Sequence, residues 1–339
     1  TTGANNTAVG QGCLLYNTTA SNNTAIGQDA LKQNTTGTQN IAVGTYALDA
    51  NTTANSNVAM GYNTLGANTT GDQQTAVGTY ALKSNTTGVQ NSAFGSTALY
   101  SNTTADNNTA VGFQSLYANT TGTDNVAVGS QALDGNTTAS QNVAIGKNAL
   151  GGSNTGSFNN AVGHEALISN TTGNPNTAIG ANALDANTTG GSNTAVGKDA
   201  LGVNITGGSN TAVGRGSLQA NLGNSNTGLG AYALQTNTTG QYNVAVGQQA
   251  LDQSTTADHN TAVGYYALQA NTTGYESVAM GSNAAKDNTT GRQNVAIGYH
   301  AFQTNTTGKE NVIIGQNAGY SNTTADENTF VGQSAGYSN

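Results

Sequence analysis

Asparagine followed by Thr-Thr is the chemically marked triplet that dominates this chain, and its form is that of an N-glycosylation acceptor. It stands at Asn17, Asn34, Asn51, Asn68, Asn85, Asn102, Asn119, Asn136, Asn170, Asn187, Asn237, Asn271, Asn288, Asn305 and Asn322, with the variant Asn204-Ile205-Thr206. Regular stacking would put these asparagines in one row along the outside, where covalent glycans would sheathe the protein. The competing reading is turn chemistry, since Asn and Thr favour turns and hydrogen-bonded ladders. The pattern lapses at Asn154-Thr155-Gly156, Asn221-Leu222-Gly223 and Ser254-Thr255-Thr256, as turns alone would allow. The same turns carry Thr35-Thr36, Thr52-Thr53 and Thr69-Thr70, whose repeated hydroxyls and methyls raise a glycan- or ice-binding face as the alternative function.

Catalysis finds no comparable pattern. His164, His259 and His300 are far apart in sequence, and His164 and Glu165, as neighbours on a strand, would point to opposite sides. Asp29, Asp49, Asp134, Asp185 and Asp252 are scattered and lack the Gly- and Asp-rich calcium repeat. No Cys/His cluster points to zinc, and no phosphate loop carries a lysine. The expectation is a protein that is not an enzyme and has no cofactor or metal.

Composition narrows the partners. Charged residues make up 7% of the chain, against about 25% in globular domains. The net charge is −8 and the eight basic residues are scattered, which argues against nucleic acid and against a polybasic membrane patch. No apolar run reaches the ~18–20 residues of a transmembrane helix, and no secretory signal is visible. With no Trp, five Phe and one Pro, a large aromatic core is excluded. Cys13 reads as a small buried residue in a slot otherwise held by Ala, Ser or Thr.

What positions all these residues is a repeat. A glycine preceded by an apolar residue returns every 17 residues from Gly10 to Gly332, twenty times, with only the step from Gly214 to Gly230 one residue short. We number the places of one unit from Asn23-Thr24-Ala25-Ile26-Gly27. The second place is mostly Thr or Val, the third Ala, the fourth apolar in every unit and the fifth Gly. Such a run reads as a short strand closed by a residue free to adopt positive φ. Places eight and nine, as in Ala47-Leu48, read as a second short strand or turn, and Asn-Thr-Thr-Gly follows as a turn. The period predicts an all-β parallel solenoid of about 20 coils, a single continuous array over residues 1–339. The chain opens on Thr1-Thr2-Gly3 and stops at Asn339, each inside such a turn, so the array is expected to be a segment of a longer fibre.

In the last two units the third place enlarges to Ile313 and Phe330 while the ninth shrinks to Gly319 and Gly336. Cores tolerate volume exchanged between neighbours better than volume lost or added, so places three and nine should face each other inside the coil. Place four then points the other way, yet it is always apolar. It needs a cover, and the same strand of sister chains around an axis is the economical one. A single wide coil that covers place four with its own second sheet is the alternative.

The units Val143-Ala144-Ile145-Gly146 and Val295-Ala296-Ile297-Gly298 resemble the head repeats of trimeric autotransporter adhesins. The fuller Asn-Thr-Ala-Val-Gly-x-x-Ala-Leu-x-x-Asn-Thr-Thr-Gly unit is similar to arrays in phage and bacterial tail-fibre proteins. The resemblance covers the whole chain and implies a left-handed β-roll, three parallel chains side by side, and a role in adhesion or host attachment. The unit here is longer than the adhesin head repeat, and no coiled-coil stalk or anchor is visible.

Together these readings predict an extracellular structural fibre on a cell surface or virion. It would act as spacer and attachment rod, with copies of itself, a host receptor or a surface glycan as partners. Gly27, Gly44, Gly78, Gly129, Gly197 and Gly264 would close strands. Val43, Val77, Val128, Val196 and Val263 would form the seam between chains, and Ala42, Leu48, Ala127 and Leu133 the coil interior.

Overall fold

The computed structural model describes residues 2–338. Thr1 and Asn339, on which the expectation of a longer array rests, lie outside the described residues. Two compact units divide the chain, Thr1–Thr172 and Gly173–Asn339. Each is an all-β parallel solenoid with one short strand per repeat, and no helix occurs among the described residues.

The first unit holds ten strands, from β1 (Thr7–Val9) and β2 (Thr24–Ile26) to β10 (Asn160–Val162), each pairing in parallel with the next. The second holds ten more, from β11 (Asn176–Ile179) to β20 (Thr329–Val331), paired in the same way. Register sets like over like: Thr7 on Thr24, Ala8 on Ala25, Val9 on Ile26. The short repeat leaves this register intact, with Ala212 over Gly228. Its missing residue is taken from the turn, where Asn221 Nδ2 reaches Gly223 O two residues on instead of three.

The strands are three or four residues long because the fifth-place glycine ends them. Its φ lies between 126° and 142° throughout, a region that residues with a Cβ avoid. Stacking adds a second requirement. A Cβ on Gly129 would sit 2.5 Å from the Gly146 carbonyl oxygen in the next coil.

Of the two readings of places eight and nine, short strand or turn, the chain builds the turn. Place nine adopts left-handed backbone, with φ 51° at Leu48 and 53° at Leu133, which no extended strand accommodates. The residues at places seven and seventeen do the same, as at Asp29 (φ 54°) and Gln39 (φ 60°). The turns still ladder from coil to coil: Leu31 N–H donates to Ala47 O at 3.0 Å, and Thr35 N–H to Thr52 O at 2.9 Å. Backbone groups that would be orphaned in a narrow coil are thereby satisfied.

The interior is thin, with places three, eight and nine mostly apolar beside buried rows of asparagine. Ala42, Leu48, Ala127 and Leu133 are fully buried, as are the third, eighth and ninth places of most coils. Places three and nine meet in the last coils. A Cβ on Gly336 would collide with the Phe330 ring at 2.5 Å, and one on Gly319 would lie 3.2 Å from Ile313 Cγ2.

Candidate functional surface

The Asn-Thr-Thr asparagines point inward, which corrects the expected outer row of glycan acceptors. Apart from half-buried Asn17, all of them, from Asn34 to Asn322, are buried. Asn102 shows the arrangement: its Nδ2 donates to Asn85 Oδ1 at 2.8 Å and to Ala105 O at 3.1 Å, while its Oδ1 accepts from Asn119 Nδ2 at 3.0 Å. The nitrogen that would carry a sugar is thus committed to a dry ladder with no room for a glycan. The amide is short enough to lie across the coil, and the next coil supplies its partner, so most of these buried amides are paired; Asn204 Oδ1, Asn237 Oδ1 and Asn322 Nδ2 are buried without one.

A second ladder uses the first-place asparagine. Asn40 Nδ2 donates to Ala54 O at 2.8 Å, and Asn40 Oδ1 accepts the Asn57 backbone N–H at 3.0 Å. Gln74 continues this row, bonded through Nε2 to Gly88 O. Carboxylates at place sixteen cap the coil below; Asp72 Oδ1 accepts the Asn55 N–H at 2.6 Å.

The two threonines of the turn differ. Place thirteen turns its hydroxyl onto the next coil, Thr35 Oγ1 donating to Thr52 O at 3.0 Å. Place fourteen is exposed, as at Thr36, Thr53 and Thr70. The repeated hydroxyls thus form one outward rank instead of two.

Place four faces outward. Val128 is 36% exposed, and Ile26, Met60 and Phe94 about 40%, while Val43, Val77, Val196 and Val263 are half-buried. None of the twenty fourth-place residues is buried by its own chain. A single coil that covers this place internally is therefore not what the chain builds. Place two shares the face, with Thr24 half-buried beside Ile26 and Ile41 exposed beside Val43.

The turn after each strand carries a feature that the repeat pattern alone did not bring forward. Eleven of the fourteen tyrosines fall at places six, seven and ten of the unit. In the first unit Tyr46, Tyr62, Tyr80, Tyr100 and Tyr117 form a run, with successive ring centroids 6.0, 5.3, 6.4 and 5.3 Å apart. Lys83 Nζ lies 5.2 Å from the Tyr80 ring centre and 5.4 Å from that of Tyr100, and donates to Tyr100 Oη at 3.3 Å. In the second unit His300, Tyr320 and Tyr337 stack in a similar run. Counting aromatics by place within the unit, instead of along the chain, is the signal that finds them.

His164 and Glu165 do approach, against the expectation that they point apart. They lie on the turn, not on the strand, and left-handed backbone at Glu165 (φ 56°) brings His164 Nε2 within 3.6 Å of Glu165 Oε1. Both side chains are well exposed. Among the described residues no three His, Cys, Asp or Glu side chains gather as metal ligands. Asp49, Asp134 and Asp252 share place ten, and burial pushes each carboxyl above the ordinary range. Cys13 is half-buried, and its Sγ donates to Gly27 O at 2.7 Å, the bond that Thr64 Oγ1 makes to Gly78 O at 2.6 Å.

No protein-family model matches the chain, and no curated protein is significantly similar to it.

Proposed function

We propose that the chain is the repeat segment of an extracellular structural fibre, a left-handed β-roll whose copies associate side by side as a parallel homotrimer. Its work is mechanical: on a cell surface or virion it serves as spacer and attachment rod, engaging a host receptor or surface glycan. The observation that carries this reading is the outward apolar row at place four. A continuous apolar stripe exposed to water marks an interaction surface, and burying the remaining two-fifths or so of each Val or Ile is worth about 1 kcal/mol. Ten such residues per unit give association a strong drive, and sister chains present the same stripe at the same spacing.

The test is a pair of substitutions read by light scattering on the eluting protein. Val128→Asp puts a charge into the proposed seam and is expected to lower the oligomeric mass or the temperature at which it dissociates. Asp134→Ala, on the turn, is expected to leave both in place. An unchanged oligomer in Val128→Asp overturns the seam. A second reading, a secreted ligand-binding solenoid, draws on the exposed rank of Thr36, Thr53 and Thr70. Thermal hysteresis of the purified protein tests it, since a passive spacer shows none.

A further inference from the structure

We infer that the tyrosine run from Tyr46 to Tyr117 is a binding strip for an extended, neutral polysaccharide. This rests on the attachment role proposed above, for which it names the ligand class and the surface, and it uses none of the residues of the place-four seam. The strip lies on the turn that follows each strand, and its rings recur coil by coil. With three places of seventeen holding most of the tyrosines, their position is not a by-product of composition.

The geometry excludes other ligand classes in turn. No cavity exists among the described residues, so a small ligand that needs most of its surface buried has nowhere to go. The strip offers little positive charge to a polyanion. Lys32 is paired with Asp29 at 3.2 Å, Lys83 is held between two rings, and the chain as a whole carries −8. A folded protein partner would need a wide desolvated patch. Here a line of rings runs among the polar side chains of Thr45, Asn63, Thr79 and Gln114.

A neutral glycan fits what remains. A pyranose has an apolar C–H face that stacks on an aromatic ring and a rim of hydroxyls that seek amide and hydroxyl partners. Tyrosine provides a rigid amphipathic platform with little entropy to lose. The rings here are further held by one another and by Lys83, so the platform is formed before the ligand arrives. From Tyr46 to Tyr100 neighbouring rings stand nearly perpendicular, at 78–85°, so rings that turn a face outward alternate with rings that turn an edge, and Tyr62 is the most exposed of them. A sugar chain along the strip would stack on alternate rings and meet the edges and hydroxyls of those between.

The experiment uses the full chain on an array of neutral and anionic glycans graded by length, then titrations with the best neutral oligosaccharide. Binding is expected for neutral chains and should tighten with length up to about the span of the strip. Tyr62→Ala and Tyr80→Ala are each expected to weaken it about fivefold or more. Tyr62→Phe, which keeps the ring, should retain it, and so should Tyr242→Ala, which removes an exposed ring outside the strip. Circular dichroism and oligomeric mass are recorded for every variant. Loss of binding with both unchanged separates this strip from the place-four seam. Absence of binding to every neutral glycan, binding only to anionic ones, or binding unaffected by Tyr62→Ala and Tyr80→Ala would each overturn the inference.

Discussion

Ser254 interrupts the inner asparagine ladder, and replacing it with asparagine should stabilise the protein. Ser254 is buried where other coils place Asn, and its Oγ has no partner. The defect spreads to the coil below, where Asn237 Oδ1 is also buried without a donor. Asn237 Nδ2 is satisfied, by Asn221 Oδ1 at 2.6 Å and Gly240 O at 2.8 Å. In Ser254→Asn the new Nδ2 would reach Asn237 Oδ1 and the Ala257 carbonyl, and the new Oδ1 would accept from Asn271 Nδ2. Two or three buried hydrogen bonds at about 1 kcal/mol each, less about 1 kcal/mol for immobilising the side chain, leave a gain of about 1–2 kcal/mol. The converse change, Asn102→Ser, removes up to three bonds and orphans Asn85 Oδ1, a loss of about 4 kcal/mol. Because a repeat array need not unfold as one unit, amide hydrogen exchange is the assay, read on peptides spanning coils on either side of each position. Slower exchange around residues 237–271 in Ser254→Asn and faster exchange around residues 85–119 in Asn102→Ser are expected. If Ser254→Asn left exchange unchanged or sped it up, the ladder would not be the stabilising element described here.

Other substitutions test the remaining parts of the coil. Gly129→Ala should cost about 3 kcal/mol or more, from strained backbone at φ 137° and from collision with the Gly146 carbonyl; a melting temperature within a degree of wild type would contradict it. Asp134→Asn should stabilise at neutral pH, because burial raises the folded carboxyl above its ordinary value of 3.8. The sign follows from linkage. The native state holds this proton more tightly, so the penalty is absent below 3.8 and fully present above the raised folded value. The advantage of Asp134→Asn over wild type should therefore fade on acidification, and an advantage constant across that range would refute the assignment. Peptide mapping of material from a glycosylating host should find Asn34 through Asn305 unmodified in folded protein; glycans there would contradict the inward ladder.

The parallel solenoid was legible because its constraints fall on residues with few substitutes. Stacked coils need a glycine where backbone passes over backbone and a small residue where the coil is narrow, and both repeat without drift. The exchanges of Ala for Ile313 or Phe330 and of Leu for Gly319 or Gly336 disclosed which places share the interior. Left-handed Leu48 and Leu133 were not legible, since leucine carries no preference for that conformation and only the closed coil imposes it. The acceptor triplet alone points Asn34 and its repeats outward, whereas their turn chemistry already allows the hydrogen-bonded ladder that the coils build. Only stacking, which supplies each amide with the amide of the next coil, makes the interior favourable for it. The tyrosine strip stayed hidden because Tyr62, Tyr80 and Tyr100 occupy different places in the unit and meet only once the turn is folded.

The mass of the native assembly is the most direct measure of whether the chains join along place four. Native mass spectrometry of the intact protein, beside the denatured chain at 33.8 kDa, is predicted to give three times the chain mass. Val128→Asp is predicted to lower that mass or the temperature at which the assembly dissociates. A native mass of one chain would contradict the seam, and the outward row at place four would then need a partner other than the protein itself.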